Sequence, residues 1–118
     1  MNIAHLTALP PNWQPIAQTL AAIGDEARQR ILLLFEPDEQ LTIKQITETI
    51  GLSRSAVVHH LNVLRQAEIL LSQKKGKEVF FRINPQPVLY AMEQLSLYID
   101  NYLGYPMNLG QENKDGTK

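Results

Sequence analysis

Apolar residues recur at helical spacing from Gln14 to Ile23, with Ile16, Leu20 and Ile23 in one line and Ala17 and Ala21 beside them. Gly24 closes that run, and Asp25 stands where a second helix, Glu26–Phe35, needs its N-cap. Ala27, Ile31, Leu34 and Phe35 form the apolar stripe of this second helix, and Pro37 with Asp38 and Glu39 ends it. A third helix opens at Thr42, because Thr42-Ile43-Lys44-Gln45 has the spacing of a capping box. Its inner face is Ile43, Ile46 and Ile50. Gly51-Leu52-Ser53 then supplies a tight turn with an N-cap at its end, and a fourth helix, about Arg54 to Ala67, follows at once.

The period changes after Glu68. Ile69–Lys74 and Glu78–Ile83 are short β-prone runs on either side of Lys75-Gly76-Lys77, which predicts a hairpin. Alternation puts Val79, Phe81 and Ile83 on one face of the second strand, and Glu78, Phe80 and Arg82 on the other. Pro85 and Pro87 open a last helix, and Gly104-Tyr105-Pro106 closes it. The order is helix, helix, helix-turn-helix, hairpin, helix, mainly α with a small β element. That is the winged helix-turn-helix arrangement, with Lys74–Lys77 as the wing tip. Residues 1–13 carry Pro10 and Pro11 and no helical period, so an arm is expected there. Residues 14–104 are then one DNA-binding and dimerisation domain, and residues 105–118 a flexible tail.

The fourth helix shows what such a domain could recognise. With Val57 at the centre of its buried face, Leu61 and Leu64 fall close beside it. Ser55, His59, Asn62 and Gln66 fall near the opposite pole, with Val58 on the shoulder between. A polar face of small residues, an imidazole and an amide suits the DNA major groove, where Asn bonds adenine bidentately and Val meets a thymine methyl. Ser53 and Arg54 at the helix start can bind phosphate, and Lys75, Lys77 and Arg82 can do so from the hairpin.

The net charge of −1 points away from nucleic acid until its distribution is considered. Residues 1–39 hold two basic and five acidic side chains, residues 40–84 seven and three, and residues 85–118 two and four. The basic segment coincides with the helix-turn-helix and the hairpin.

Other chemistries are excluded or unsupported. The 118 residues contain no cysteine, which removes disulfides, thiolate ligands and cysteine nucleophiles. His59 and His60 are adjacent in a helix and diverge by about 100°, and His5 lies alone in the arm, so no metal site is expected. Neither a glycine-rich phosphate loop nor an acid–base cluster is present, so neither catalytic residues nor a cofactor are expected. The longest apolar run, Ile31–Phe35, is far short of the roughly 20 residues that span a bilayer. Residues 1–24 have no basic start and are broken by Pro10, Pro11 and Pro15, unlike a secretory leader, so residence in the cytoplasm is expected.

The last helix asks for cover. Val88, Met92, Leu95, Ile99 and Tyr102 form one stripe, and Leu89, Tyr90, Leu97 and Tyr98 carry the apolar surface beyond it. A helix apolar over most of its circumference needs neighbours on more than one side, which points to a homodimer.

These segments together resemble the ArsR family of winged-helix repressors. The carrying residues are Ile23–Leu32, Gly51–Leu61 with Val63–Arg65, and the wing Lys74–Ile83, and the likeness runs from about Leu20 to Ile83. The resemblance implies a dimer built by the first and last helices, through Ile16, Leu20, Leu95, Ile99 and Tyr102, that represses by occupying an imperfect palindrome near a promoter. This chain also departs from the family. Where many members carry a Cys-x-Cys metal motif it has Thr42 and Lys44, and its last helix has no His and leaves Asp100 without a plausible partner ligand nearby. Glu68 stands where Gly is common, at a helix end that this would strain, and Val58 where Ser is common. The expected function is that of a sequence-specific DNA-binding regulator, a repressor that does not respond to metals and whose effector the sequence does not reveal. The rival is a winged-helix module that binds protein and has no salt-dependent affinity for DNA.

Overall fold

A computed structural model describes residues 1–107. After a 3-10 turn at Pro11–Trp13 come α1 (Gln14–Ile23), α2 (Glu26–Leu32), a two-residue strand β1 (Leu41–Thr42), α3 (Ile43–Ile50) and α4 (Arg54–Gln66). The hairpin strands β2 (Leu70–Lys75) and β3 (Glu78–Ile83) follow, then α5 (Gln86–Leu97) and a π-helical turn at Tyr98–Tyr102. The helix-turn-helix, wing and flanking helices therefore stand in the expected order. The reading of the tail at Asn108–Lys118 lies outside the described residues.

Local chemistry sets most of these boundaries. Asp25 caps α2 by accepting from the Arg28 amide at 3.1 Å. At α3 the capping box is complete: Thr42 Oγ1 accepts from the Gln45 amide at 3.1 Å, and Gln45 Oε1 accepts from the Thr42 amide at 2.8 Å. Gly51 ends α3 at φ +81, a left-handed conformation that costs glycine nothing and a Cβ-bearing residue about 1–2 kcal/mol. Ser53 Oγ then accepts from the Ala56 amide at 3.2 Å and starts α4.

The core forms where these helices meet the sheet. Ile31, Ile46, Ile50, Val57, Leu61, Leu64, Ile69, Leu70 and Phe81 are all buried in one cluster. At roughly 1.5–3 kcal/mol for each fully buried aliphatic side chain, the Val57–Leu61–Leu64 seam is what holds α4 against the body. Ile16 of α1 and Ala91 of α5 are buried outside that cluster, in a second layer where α1 and α5 pack together.

Several details differ from the sequence reading. β1 pairs with the free edge of β3, Leu41 opposite Phe81 and Thr42 opposite Phe80, to give a three-stranded antiparallel sheet of order β1-β3-β2. α2 ends at Leu32, and the chain continues to Phe35 through i→i+3 bonds, Leu34 to Ile31 and Phe35 to Leu32, that tighten its last turn. In α1 the buried line is Ile16, Thr19 and Ala22, while Leu20 is 42% exposed. On α5 only Ala91 is fully buried. Val88 and Leu95 lean inward, whereas Met92 and Tyr102 of the same expected stripe are exposed. At its C-terminal end the Leu103 amide reaches Tyr98 O, an i→i+5 bond that rotates the register and stacks Tyr98 on Tyr102 at 5.5 Å.

Candidate nucleic-acid interface

The exposed side of α4 is the face expected from its period. Ser53, Arg54, Ser55, His59 and Asn62 are exposed, and Val58 is half-buried on the shoulder. Ser53 is already engaged as the N-cap, with Ser55 Oγ 3.3 Å from its hydroxyl, so its remaining hydrogen-bonding capacity is small. Ser55 shares that contact, while Arg54, His59 and Asn62 are exposed beside it.

His59 and His60 part company. Their rings lie 5.3 Å apart at 56°. His60 turns inward, where its Nδ1 meets Arg28 Nη1 at 3.1 Å. Burial pushes the His60 pKa below its ordinary 6.5; Asp25 opposes that shift, and the Arg28 and His59 charges add to it. Asp25 is itself held below the ordinary carboxylate range, chiefly by the Arg28 amide it accepts from.

The hairpin turns on Gly76 (φ +63) and Lys77, a two-residue loop in which only the first position needs positive φ. Lys74, Lys75 and Lys77 are exposed around it. Lys75 is also tied locally: its Nζ donates to Gln40 Oε1 at 2.7 Å and lies 5.2 Å from the centre of the Phe80 ring. Arg82 is exposed but pairs opposite Leu71, four rungs from the Lys75–Glu78 pair, or about 13 Å from the tip. The structure thus separates Arg82 from the wing-tip lysines.

The residues expected at a dimer interface divide in the same way. Ile16 is 1% exposed in the single chain and offers no surface to a second copy, a correction to the sequence reading. Leu20 and Tyr102 are exposed, and Leu95 and Ile99 are half-buried. Leu89 and Met92, part of the apolar surface that the sequence marks out on α5, are about half exposed, Leu89 on the side opposite Ala91 and Met92 on its flank. Sequence reasoning missed the arginines. Arg28 donates to Ala22 O and Ala21 O, and Arg30 donates to Ile50 O at 3.0 Å, closing the end of α3. Their partners lie 6 to 32 positions away, so no local pattern announces them.

Among the described residues no three His, Asp or Glu side chains gather where they could hold a metal, and no helix is long and apolar enough to cross a membrane.

Comparison with known proteins agrees with this geometry. A family model described as the bacterial regulatory protein, arsR family, matches residues 25–72, from the N-cap of α2 into the first wing strand. The arsenic resistance transcriptional regulator ArsR1 of Pseudomonas putida is 33% identical over 78 residues, covering 66% of this chain and 61% of that protein. The transcriptional repressor SdpR of Bacillus subtilis is 35% identical over 63 residues, covering 53% of this chain and 69% of that one. The chain belongs to the ArsR family. An ArsR-like transcriptional regulator from Rhodococcus sp. RHA1 superposes with a TM-score of 0.69 at 24% identity, over 80% of this chain and 91% of that one, a likeness of fold. The ArsR relatives are transcription regulators and not enzymes, and the segment shared with them is the DNA-binding winged helix.

Proposed function

We propose that the chain is a homodimeric repressor that binds a palindromic operator through α4 and the wing tip. The observation that carries this reading is the polar face of α4. Ser55, His59 and Asn62 stand exposed on a helix fixed at both ends and along its buried seam, beside a hairpin whose tip is lysine-rich. In this reading His59 and Asn62 contact base edges, Val58 meets a thymine methyl, and Arg54 with Ser55 positions the helix start on the backbone. Lys77 and Lys75 contact phosphate, Lys75 after leaving Gln40. Ser53 serves mainly as the cap, and Arg82, set back from the tip, is a secondary backbone contact.

Dimerisation follows from the exposed apolar side of α5 together with Leu20 of α1, and gives two recognition helices for two half-sites. The domain is residues 14–104, with an arm before it and a tail after it, in a cytoplasmic protein. The Pseudomonas putida relative is named for arsenic resistance. Here Thr42 is spent on the α3 cap and no thiol exists, so regulation is by something other than a thiophilic metal.

The test is fluorescence anisotropy on a duplex taken from the promoter region immediately upstream of its own coding sequence, chosen by searching that region for an inverted repeat, and titrated across salt. Wild type should bind with a steep salt slope, and Lys75→Ala with Lys77→Ala should flatten it by about 1 for each phosphate contact removed. Equal binding by wild type and the double variant at every salt concentration would refute the wing assignment. No binding by wild type would leave the fold as a protein-interaction module.

A further inference from the structure

The guanidinium of Arg28 joins three helices at one point. Its Nε donates to Ala22 O at 2.6 Å and its Nη2 to Ala21 O at 3.3 Å, both in the last turn of α1, where helix carbonyls have no partner of their own. Its own backbone belongs to the first turn of α2, and its Nη1 reaches His60 Nδ1 on α4 at 3.1 Å. Arginine has donors only, so Nδ1 must be the acceptor, and the ring proton of His60 then sits on Nε2. The contact exists only while His60 is neutral. Protonation would set an N–H against an N–H at 3.1 Å and two cations side by side.

We propose that Arg28 is a positioning residue for DNA binding, clamping α4 to the end of α1 through neutral His60, so that protonation of His60 releases the recognition helix and weakens binding. The proposal rests on the reading of α4 as the DNA-contacting helix. It extends that reading by naming a link from the base-reading surface to α1, the helix that carries the exposed Leu20. His60 sits one position from His59, so a small rotation of α4 at this point is felt directly on the face that meets DNA.

The charged groups around the ring are few. α1 contributes none, the turn before α2 contributes Asp25, α2 contributes Arg28, and α4 contributes His59. Asp25 Oδ2 lies 3.9 Å from Arg28 Nη1 and is the carboxylate to which a protonated His60 would turn. Release is therefore an exchange of partners, Arg28 for Asp25, within one small cluster.

The experiment measures anisotropy of the same upstream duplex at about pH 8 and about pH 5.5, bracketing the ordinary histidine range. Affinity should fall about tenfold between the two pH values, and adding His60→Gln should bring that ratio close to one whatever the absolute affinity. A glutamine oxygen can accept from Arg28 and does not titrate. Arg28→Lys should also lose the pH ratio, because an ammonium cannot span the two carbonyls and the ring together. Side-chain 15N shifts of His60 in the free protein should show a bare Nδ1 at about pH 8. An unchanged pH ratio in the His60→Gln chain, or a protonated Nδ1 at about pH 8, would overturn this proposal alone. Loss of all binding at about pH 8 in the wild-type chain would overturn the DNA-contact reading and this proposal with it.

Discussion

The side-chain amide of Asn84 donates to the backbone carbonyl of Glu68 at 2.9 Å, and the Asn84 amide donates to Ile69 O at 2.8 Å. Glu68 is where α4 ends, in the left-handed region at φ +61. The Glu68 amide bonds Arg65 O and the Ile69 amide bonds Leu64 O, both at 2.9 Å, which is the Schellman arrangement with Ile69 and Leu64 buried beside it. The glutamate thus occupies the position that suits glycine, and Asn84 holds it there. Glu68→Gly should raise stability by about 1 kcal/mol, the steric penalty of the left-handed conformation less the flexibility that glycine adds. Asn84→Ala should lower it by about 1 kcal/mol. Denaturant midpoints with unchanged slope would measure both. A Glu68→Gly protein less stable than wild type would show that Glu68 has some stabilising role in place.

Thr42→Ala addresses the start of α3. It removes the acceptor for the Gln45 amide while leaving the Thr42 amide bonded to Gln45 Oε1, so half of the capping box goes, for a loss of about 1 kcal/mol. Thr42→Ser should recover most of it. Were both variants to melt with wild type, the capping box would be a geometric coincidence.

The elements just named mark the limit of what could be read from the sequence. The α4 seam of Val57, Leu61 and Leu64 and the caps at Asp25, Thr42 and Ser53 were legible, because helical period and capping are local, within four residues. β1 was not, because two residues carry no period, and Leu41–Thr42 is a strand only because β3 leaves an edge free. The direction of α5 was not legible either. A helix apolar on nearly every side gives no preferred face, and the choice of Ala91 as its buried line is made by the close approach of α1. The Arg28–His60 contact spans 32 positions and joins residue types that ordinarily face water.

Acid should act on this cluster in two stages. His60 has its folded pKa depressed, so the unfolded chain takes up a proton first. Stability is complete above about 6.5 and falls as the pH drops below that value. Asp25 also has its folded pKa lowered. Its contribution is present above 3.8 and is lost as the pH falls below that. Denaturant midpoints followed from pH 8 downward should decline first in the histidine window and again in the carboxylate window. His60→Gln should remove only the first decline and Asp25→Asn only the second. A first decline that survived in His60→Gln would assign it to another group.

Assembly is tested on the α5 side that faces away from Ala91. Leu89 is 52% exposed there, Met92 on its flank is 49% exposed, and Leu20 of α1 is 42% exposed, surfaces that a soluble monomer has no reason to keep apolar. Because these side chains are already half in water, Leu89→Glu or Met92→Glu should leave the single-chain fold intact. The same charge placed at a closed interface would be buried without a partner. Light scattering at micromolar concentration should give twice the chain mass for wild type. The Glu variants should dissociate with a constant weakened by at least about tenfold, or 1.4 kcal/mol. Their far-ultraviolet circular dichroism should match wild type, whereas Ile16→Glu, at a side chain buried within the monomer, should unfold the chain outright. The two classes of variant therefore separate an interface from a core. If dimerisation is needed to span both half-sites, the folded monomers should also lose binding to the upstream duplex steeply while keeping a weak, salt-dependent affinity for any DNA. A wild-type chain that stays monomeric at high concentration would remove the dimer from the proposed function, and Leu89 and Met92 would then have to be covered by a different protein.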